Sequence, residues 1–157
     1  MHHAYTCLRR QGLVVGEESS LLVDTLFDLP STRQMLGLFD EQTPVRQKKI
    51  GTLFNTHANG DHTFGNQLVG GPEHPDVDIV ATSACASEFE PVGQPTGLAK
   101  MMAAAKEGRG GEGLQFMHDV MGQFFDFDGV VSTPPNVTFD GAASDVTSNT
   151  EILMLSC

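Results

Sequence analysis

The run Ile50-Gly51-Thr52-Leu53-Phe54-Asn55-Thr56-His57-Ala58-Asn59-Gly60-Asp61-His62-Thr63-Phe64-Gly65-Asn66 changes character halfway along. Its first part, Ile50 to Thr56, is apolar and β-prone and reads as a strand. Its second part places two imidazoles and a carboxylate, His57, Asp61 and His62, within six residues around a glycine. Neutral imidazole and carboxylate are ligands that Zn²⁺ accepts. A loop leaving the C-terminal end of a strand is a common place for a site, because the strand is rigid and the loop exposed. Gly60 is expected to take a positive φ that turns Asp61 and His62 toward His57. The His-x-x-x-x-His spacing by itself also fits a polar surface loop with two incidental histidines.

Working outward, Gly12 to Gly16 and Leu21 to Thr25 are apolar runs around the polar turn Glu17-Glu18-Ser19-Ser20, the pattern of a β-hairpin. Asp28-Leu29-Pro30-Ser31 offers an Asp or Ser cap and a proline in the first turn. Met35, Leu36 and Phe39 then recur at helical spacing to about Asp40. Residues 41–49 read as a loop. Beyond the histidine segment, Phe64 to Val69 reads as a short helix stopped by Gly70-Gly71-Pro72. Val77 to Ala81 reads as a strand, and Ser83 as the cap of a helix to about Phe89. Further helices are expected over Leu98 to Lys106 and over Leu114 to Phe125. In the second, Leu114, Met117, Val120, Met121 and Phe124 form a stripe best explained by core packing. Asn136 to Phe139 and Glu151 to Leu155 are strand candidates. The alternation of strands and helices argues for a layered α/β fold in one domain.

Composition limits the function. The 157 residues carry 9 Lys plus Arg against 20 Asp plus Glu, a formal charge of −11, so phosphate backbones are repelled and no nucleic-acid partner is expected. No apolar run approaches membrane-spanning length, and Met1 to Arg10 has no apolar core of a signal peptide, so a cytoplasmic protein without a membrane partner is expected. Cys7, Cys85 and Cys157 are odd in number and widely spaced, which reads as reduced thiols. Asn136-Val137-Thr138 matches a glycosylation sequon that is discounted without a secretion signal. Gly108-Arg109-Gly110-Gly111 has no strand before it and no Lys-Ser/Thr after it, so it is not a phosphate loop. His74 reads as a loop histidine and His118 as a solvent-facing one. His2 and His3 read as a frayed end.

The segment Thr56-His57-Ala58-Asn59-Gly60-Asp61-His62 resembles the His-x-His-x-Asp-His motif of the metallo-β-lactamase superfamily. The hairpin ending in Asp24-Thr25, the helix after it and the strand into Thr56-His57 come in that family's order. The resemblance implies an α/β (α+β) fold, the N-terminal part of a four-layer αβ/βα sandwich, with residues 1–157 as a single partial, truncated domain. It implies that His57 is a ligand of a first zinc site and that Asp61 and His62 are ligands of a second. Asp61 would also be the catalytic group that orients the attacking water. Asp24 sits where family members brace the metal loop, and Thr56 and Asn66 are further candidates for orienting imidazoles.

Two departures from the pattern bear on function. Asn59 replaces the motif's second histidine, which weakens the first site, because an amide oxygen is a poorer zinc ligand than imidazole. One or two zinc ions are therefore expected, with a single ion at Asp61 and His62 the natural case. The family's C-terminal ligands are also missing from this chain, which matches three of the six ligand positions. The expected function is that of a metal-dependent hydrolase acting on a small molecule of unread class, inactive as this isolated chain. The alternative is a non-catalytic remnant or partner-binding module, with its Met- and Phe-bearing helices as the interaction face. Self-association or a complementing chain would cover the apolar sheet face that half a sandwich leaves open.

Overall fold

A computed structural model describes residues 11–16, 19–42 and 49–140, and the backbone of 151–154. Cys7, Cys157, His2, His3, the turn residues Glu17 and Glu18, and Leu155 lie outside these residues. The hairpin is present as β1 (Gly12–Val15) and β2 (Ser20–Val23), paired antiparallel. Helix α1 (Leu29–Gln42) comes next, then β3 (Ile50–Phe54). After these lie α2 (Gly60–Thr63), a 3-10 turn over Asn66–Leu68, and β4 (Asp78–Thr82). Helices α3 (Ser83–Ala86), α4 (Gly97–Lys106) and α5 (Gly111–Met121) lead to β5 (Val137–Phe139) and β6 (Glu151–Met154).

The strands form one sheet in the order β5-β4-β3-β2-β1-β6. β2, β3, β4 and β5 run parallel, while β1 and β6 run against their neighbours. Register explains the core. Leu13 pairs with Leu22, Leu22 with Leu53 and Leu53 with Ile79, so one row of fully buried side chains crosses four strands. Met35 and Phe39, one turn apart on α1, close over that row. Asp28 caps α1, its Oδ1 accepting from the Ser31 N–H at 2.9 Å. Parallel pairing brings the C-terminal ends of β2, β3 and β4 together at one edge of the sheet.

Several local expectations are corrected. No separate helix spans Phe64 to Val69. The α-helical turn begins inside the motif, at Gly60, and ends at Thr63, and only a 3-10 turn over Asn66–Leu68 lies in the expected stretch. Gly60 is not among the positive-φ glycines. What it supplies is space, since a Cβ there would lie 2.4 Å from the Phe64 ring. The helix after β4 is one turn long and is capped by Thr82, whose Oγ1 accepts from the Cys85 N–H. The stripe on α5 is only partly core. Met117 and Met121 pack against a second buried cluster containing Leu29, Ala99, Met102, Phe127 and Val130, while Val120 and Phe124 are exposed.

Candidate metal centre

The centre is built on the ends of β2 and β3. β2 stops at Val23, and the next residue, Asp24, has φ 59°, a left-handed conformation costly for a non-glycine residue. That turn points a buried carboxylate at the end of the neighbouring strand. Asp24 Oδ1 accepts from the Thr56 N–H at 2.8 Å, and Oδ2 accepts from Thr56 Oγ1 at 2.7 Å. His62 Nδ1 lies 2.7 Å from the same Oδ2. A carboxylate only accepts, so His62 carries its proton on Nδ1 and presents Nε2 to the other side.

Thr56 passes the same constraint to His57. Its hydroxyl has one proton, given to Asp24, so it accepts from His57 Nδ1 at 2.9 Å. One carboxylate thereby sets both imidazoles, His62 directly and His57 through Thr56. In both, Nε2 is the ring nitrogen turned away from that hydrogen bond, the arrangement by which carboxylate–histidine pairs orient metal ligands.

His57, Asp61 and His62 have ligand-type atoms within 4.8 Å of one another. The two rings stand 4.1 Å apart between centroids, and His62 Nε2 is 3.8 Å from Asp61 Oδ2. Tetrahedral zinc with ligands at about 2.0–2.1 Å separates them by about 3.3 Å. The cluster is slightly open for that ion. One carboxylate, Asp61, beside two imidazoles makes a donor set suited to a divalent cation, with Asp24 behind the imidazoles as their brace. All three ligands expected from the sequence are thus gathered. Asn59 is exposed at the N-cap of α2, its carbonyl accepting from the His62 N–H and from Thr63 Oγ1. His74 is exposed, and neither it nor His118 belongs to this cluster. The His118 and Asp119 side chains meet at 3.3 Å despite being neighbours in sequence.

The loop backbone is fixed by further polar residues. The Thr25 N–H donates to the His62 carbonyl at 2.8 Å, and the Gly65 N–H donates to Thr25 Oγ1. Asn66 is fully buried, and it braces the loop backbone instead of orienting an imidazole. Its Nδ2 donates to Asn55 Oδ1 at 2.8 Å and to the Thr133 carbonyl at 3.1 Å, pinning the end of α2 to the end of β3. Cys85, buried in α3, has its thiol pushed above the usual range by burial, with the Glu88 and Asp24 carboxylates adding to the shift. A cavity of about 690 Å³ lined by Leu36, Phe39, Lys49, Ile50 and His74 lies at the opposite end of the strands and shares no residue with the cluster.

The family model of the metallo-beta-lactamase superfamily matches residues 7–142. The chain belongs to that superfamily. Metallo-β-lactamase relatives are generally metal-dependent, and the His57–Asp61–His62 group is the candidate metal site of this member. Among solved structures, a metallo-beta-lactamase from Pontibacter korlensis is similar over 87% of this chain and 44% of its own, at 18% identity and TM-score 0.47. The enzyme FIM-1 from Pseudomonas aeruginosa, solved in a mono-zinc form, is similar over 48% of this chain and 31% of its own, at 26% identity and TM-score 0.38. A metallo-beta-lactamase from Hirschia baltica is similar over 48% of this chain and 32% of its own, at 25% identity and TM-score 0.38. The chain therefore spans less than half the length of these structures. No curated protein matches it. Among the described residues, no helix is long and apolar enough to cross a membrane.

Proposed function

We propose that this chain carries the metal-binding loop of a zinc-dependent hydrolase, with one ion held by His57 Nε2, His62 Nε2 and an Asp61 carboxylate oxygen. The observation that supports it most is the pair of imidazoles oriented by Asp24, whose ligand nitrogens converge with Asp61 within 4.8 Å. Three protein ligands with a further position left to water is the pattern of catalytic zinc sites. When bound, such an ion lowers the pKa of its water and polarises a carbonyl or phosphoryl oxygen. The chain's own part is to hold the ligands and to keep both histidine protons on Nδ1. The remaining Asp61 oxygen would orient the nucleophilic water. On this reading the protein is cytoplasmic and acts on a small molecule, with hydrolysis completed by ligands outside this chain.

Metal content after zinc loading tests it, measured beside a His57→Ala/His62→Ala double variant. Near-stoichiometric zinc that the double variant loses supports the site, and equal background zinc in both rejects it. A second reading, a non-catalytic member of the superfamily, is favoured by Asn59, which stands in the ligand position of the second histidine and is exposed. Tight zinc together with turnover of any ester, thioester or lactam would exclude that reading.

A further inference from the structure

Helix α5 is apolar on two sides. Met117 and Met121 face the second buried cluster, which uses one side. Phe116, Val120 and Phe124 recur at intervals of four, the last in the turn that ends the helix, and are 71%, 41% and 67% exposed. Contiguous exposed apolar surface marks interaction sites. Charge sets what can cover it. Glu112 and Asp119 lie four residues before and three after Phe116, on the same helical face. After Arg109 the chain contains no Lys or Arg; Asp128 is already paired with Lys106 of α4 at 2.6 Å, while Glu112, Asp119 and Asp126 fall on α5 or in the segment after it. A second copy of this chain would set acid against acid in a molecule of net charge −11, and anionic lipid or nucleic acid would be repelled in the same way.

We propose that the outer face of α5 docks a cationic amphipathic helix of a partner protein. The partner's apolar residues lie along Phe116, Val120 and Phe124, and its Lys or Arg side chains reach Glu112 and Asp119. Apolar anchors supply the affinity, and the charges supply register and discrimination.

The test titrates the full chain with a synthetic leucine–lysine amphipathic helix and with its leucine–glutamate counterpart, read by fluorescence anisotropy at low and moderate salt. The leucine–lysine helix is expected to bind, and to bind less tightly as salt rises. Phe116→Ser/Phe124→Ser should weaken it at least about tenfold, with an unchanged circular-dichroism melt because both rings are exposed. Glu112→Lys/Asp119→Lys should weaken it several-fold and remove most of the salt dependence. That charge variant keeps the proposal open to refutation if the phenylalanine variant does not fold. Binding that neither variant alters is unspecific attraction to an acidic chain and overturns the proposal. Equal binding of the leucine–glutamate helix also overturns it. Sedimentation showing that the free chain associates with itself, and that Phe116→Ser/Phe124→Ser abolishes this, assigns the face to a second copy instead.

Discussion

Replacing Asp24 by Asn changes one oxygen to an amide nitrogen with almost no change of shape, and the surrounding hydrogen bonds decide between two outcomes. If the amide carbonyl stays opposite the Thr56 N–H, which donates to Oδ1 at 2.8 Å, the new NH₂ group faces Thr56 Oγ1 and His62 Nδ1, both 2.7 Å from Oδ2 in the parent. Both must then accept. His62 moves its proton to Nε2. Thr56, now accepting, turns its own proton toward His57 Nδ1, 2.9 Å away, and His57 also becomes protonated on Nε2. One substitution thus turns an N–H of both imidazoles toward the metal. If the amide flips, both histidines keep their tautomers but NH₂ meets the Thr56 N–H, leaving a half-buried donor unsatisfied at a cost of about 1–3 kcal/mol.

The protein adopts whichever cost is smaller, so the two must be measured together. Loss of such an orienting partner typically weakens metal binding about 10–100-fold, which is about 1.4–2.7 kcal/mol. The assay is zinc affinity by chelator competition, beside a thermal melt in excess chelator. The first arrangement gives weakened zinc binding with a near-parent melt. The second gives parent-like zinc binding with a midpoint lowered by about 2–4 °C per kcal/mol. Histidine-ring NMR on the metal-free protein reports the tautomers directly. Zinc affinity within about twofold of the parent, together with an unchanged melt, would show that Asp24 sets neither imidazole, and the account of this site would fail.

Three further outcomes are expected. Gly60→Ala places a methyl 2.4 Å from the Phe64 ring, which stacks on Phe27 with centroids 5.6 Å apart, and should cost about 1–3 kcal/mol in chemical denaturation; full stability would show that the ring moves aside freely. The raised Cys85 pKa means its thiolate is disfavoured in the fold, so this contribution is intact below the unfolded thiol's pKa and is lost as pH rises through the higher folded value. Alkylation of the Cys85 peptide, tracked by mass spectrometry, should accordingly lag that of an unfolded control at mildly alkaline pH, and equal rates would contradict the burial. Asn59→His restores an imidazole beside the cluster and should raise zinc affinity by about tenfold or more; a titration matching the parent would mean that side chain 59 stays in solvent.

How much is legible in the residues alone depends on the kind of signal. Leu13, Leu22, Leu53 and Ile79 announce themselves by lying in apolar runs and Met35 and Phe39 by their four-residue spacing, and all are core. The start of α1 is readable because Asp28 and Pro30 punctuate it. The short helices are misplaced by sequence because a single turn has no period to read. Whether Thr82 or Ser83 caps α3, and whether Gly60 opens a helix, is settled by one or two hydrogen bonds. The three candidate ligands are legible because metal chemistry restricts residue types to a few. The framework behind them is less so, because Thr25 and Asn55 read as strand ends and Asn66 as a residue orienting an imidazole until their partners, up to 67 positions away, are known. The exposed half of the α5 stripe escapes for a related reason. Periodicity shows that a face is apolar, and it is silent on whether anything in the same chain covers it.

The limit on metal affinity can be argued from the same geometry. A loop that must fold around its ion spends binding energy on ordering, but here the ordering is done by the protein. The left-handed turn at Asp24 is held by bonds to Thr56 and His62, and the backbone of His62 is held by Thr25. Ligand atoms already within 4.8 Å need only rotate to meet one ion. What remains scarce is ligand number, since this segment supplies three donors and its fourth candidate, Asn59, is exposed and offers an amide. Zinc should therefore bind quickly and without a large conformational signal, and its strength should respond more to an added ligand than to any further stiffening of the loop.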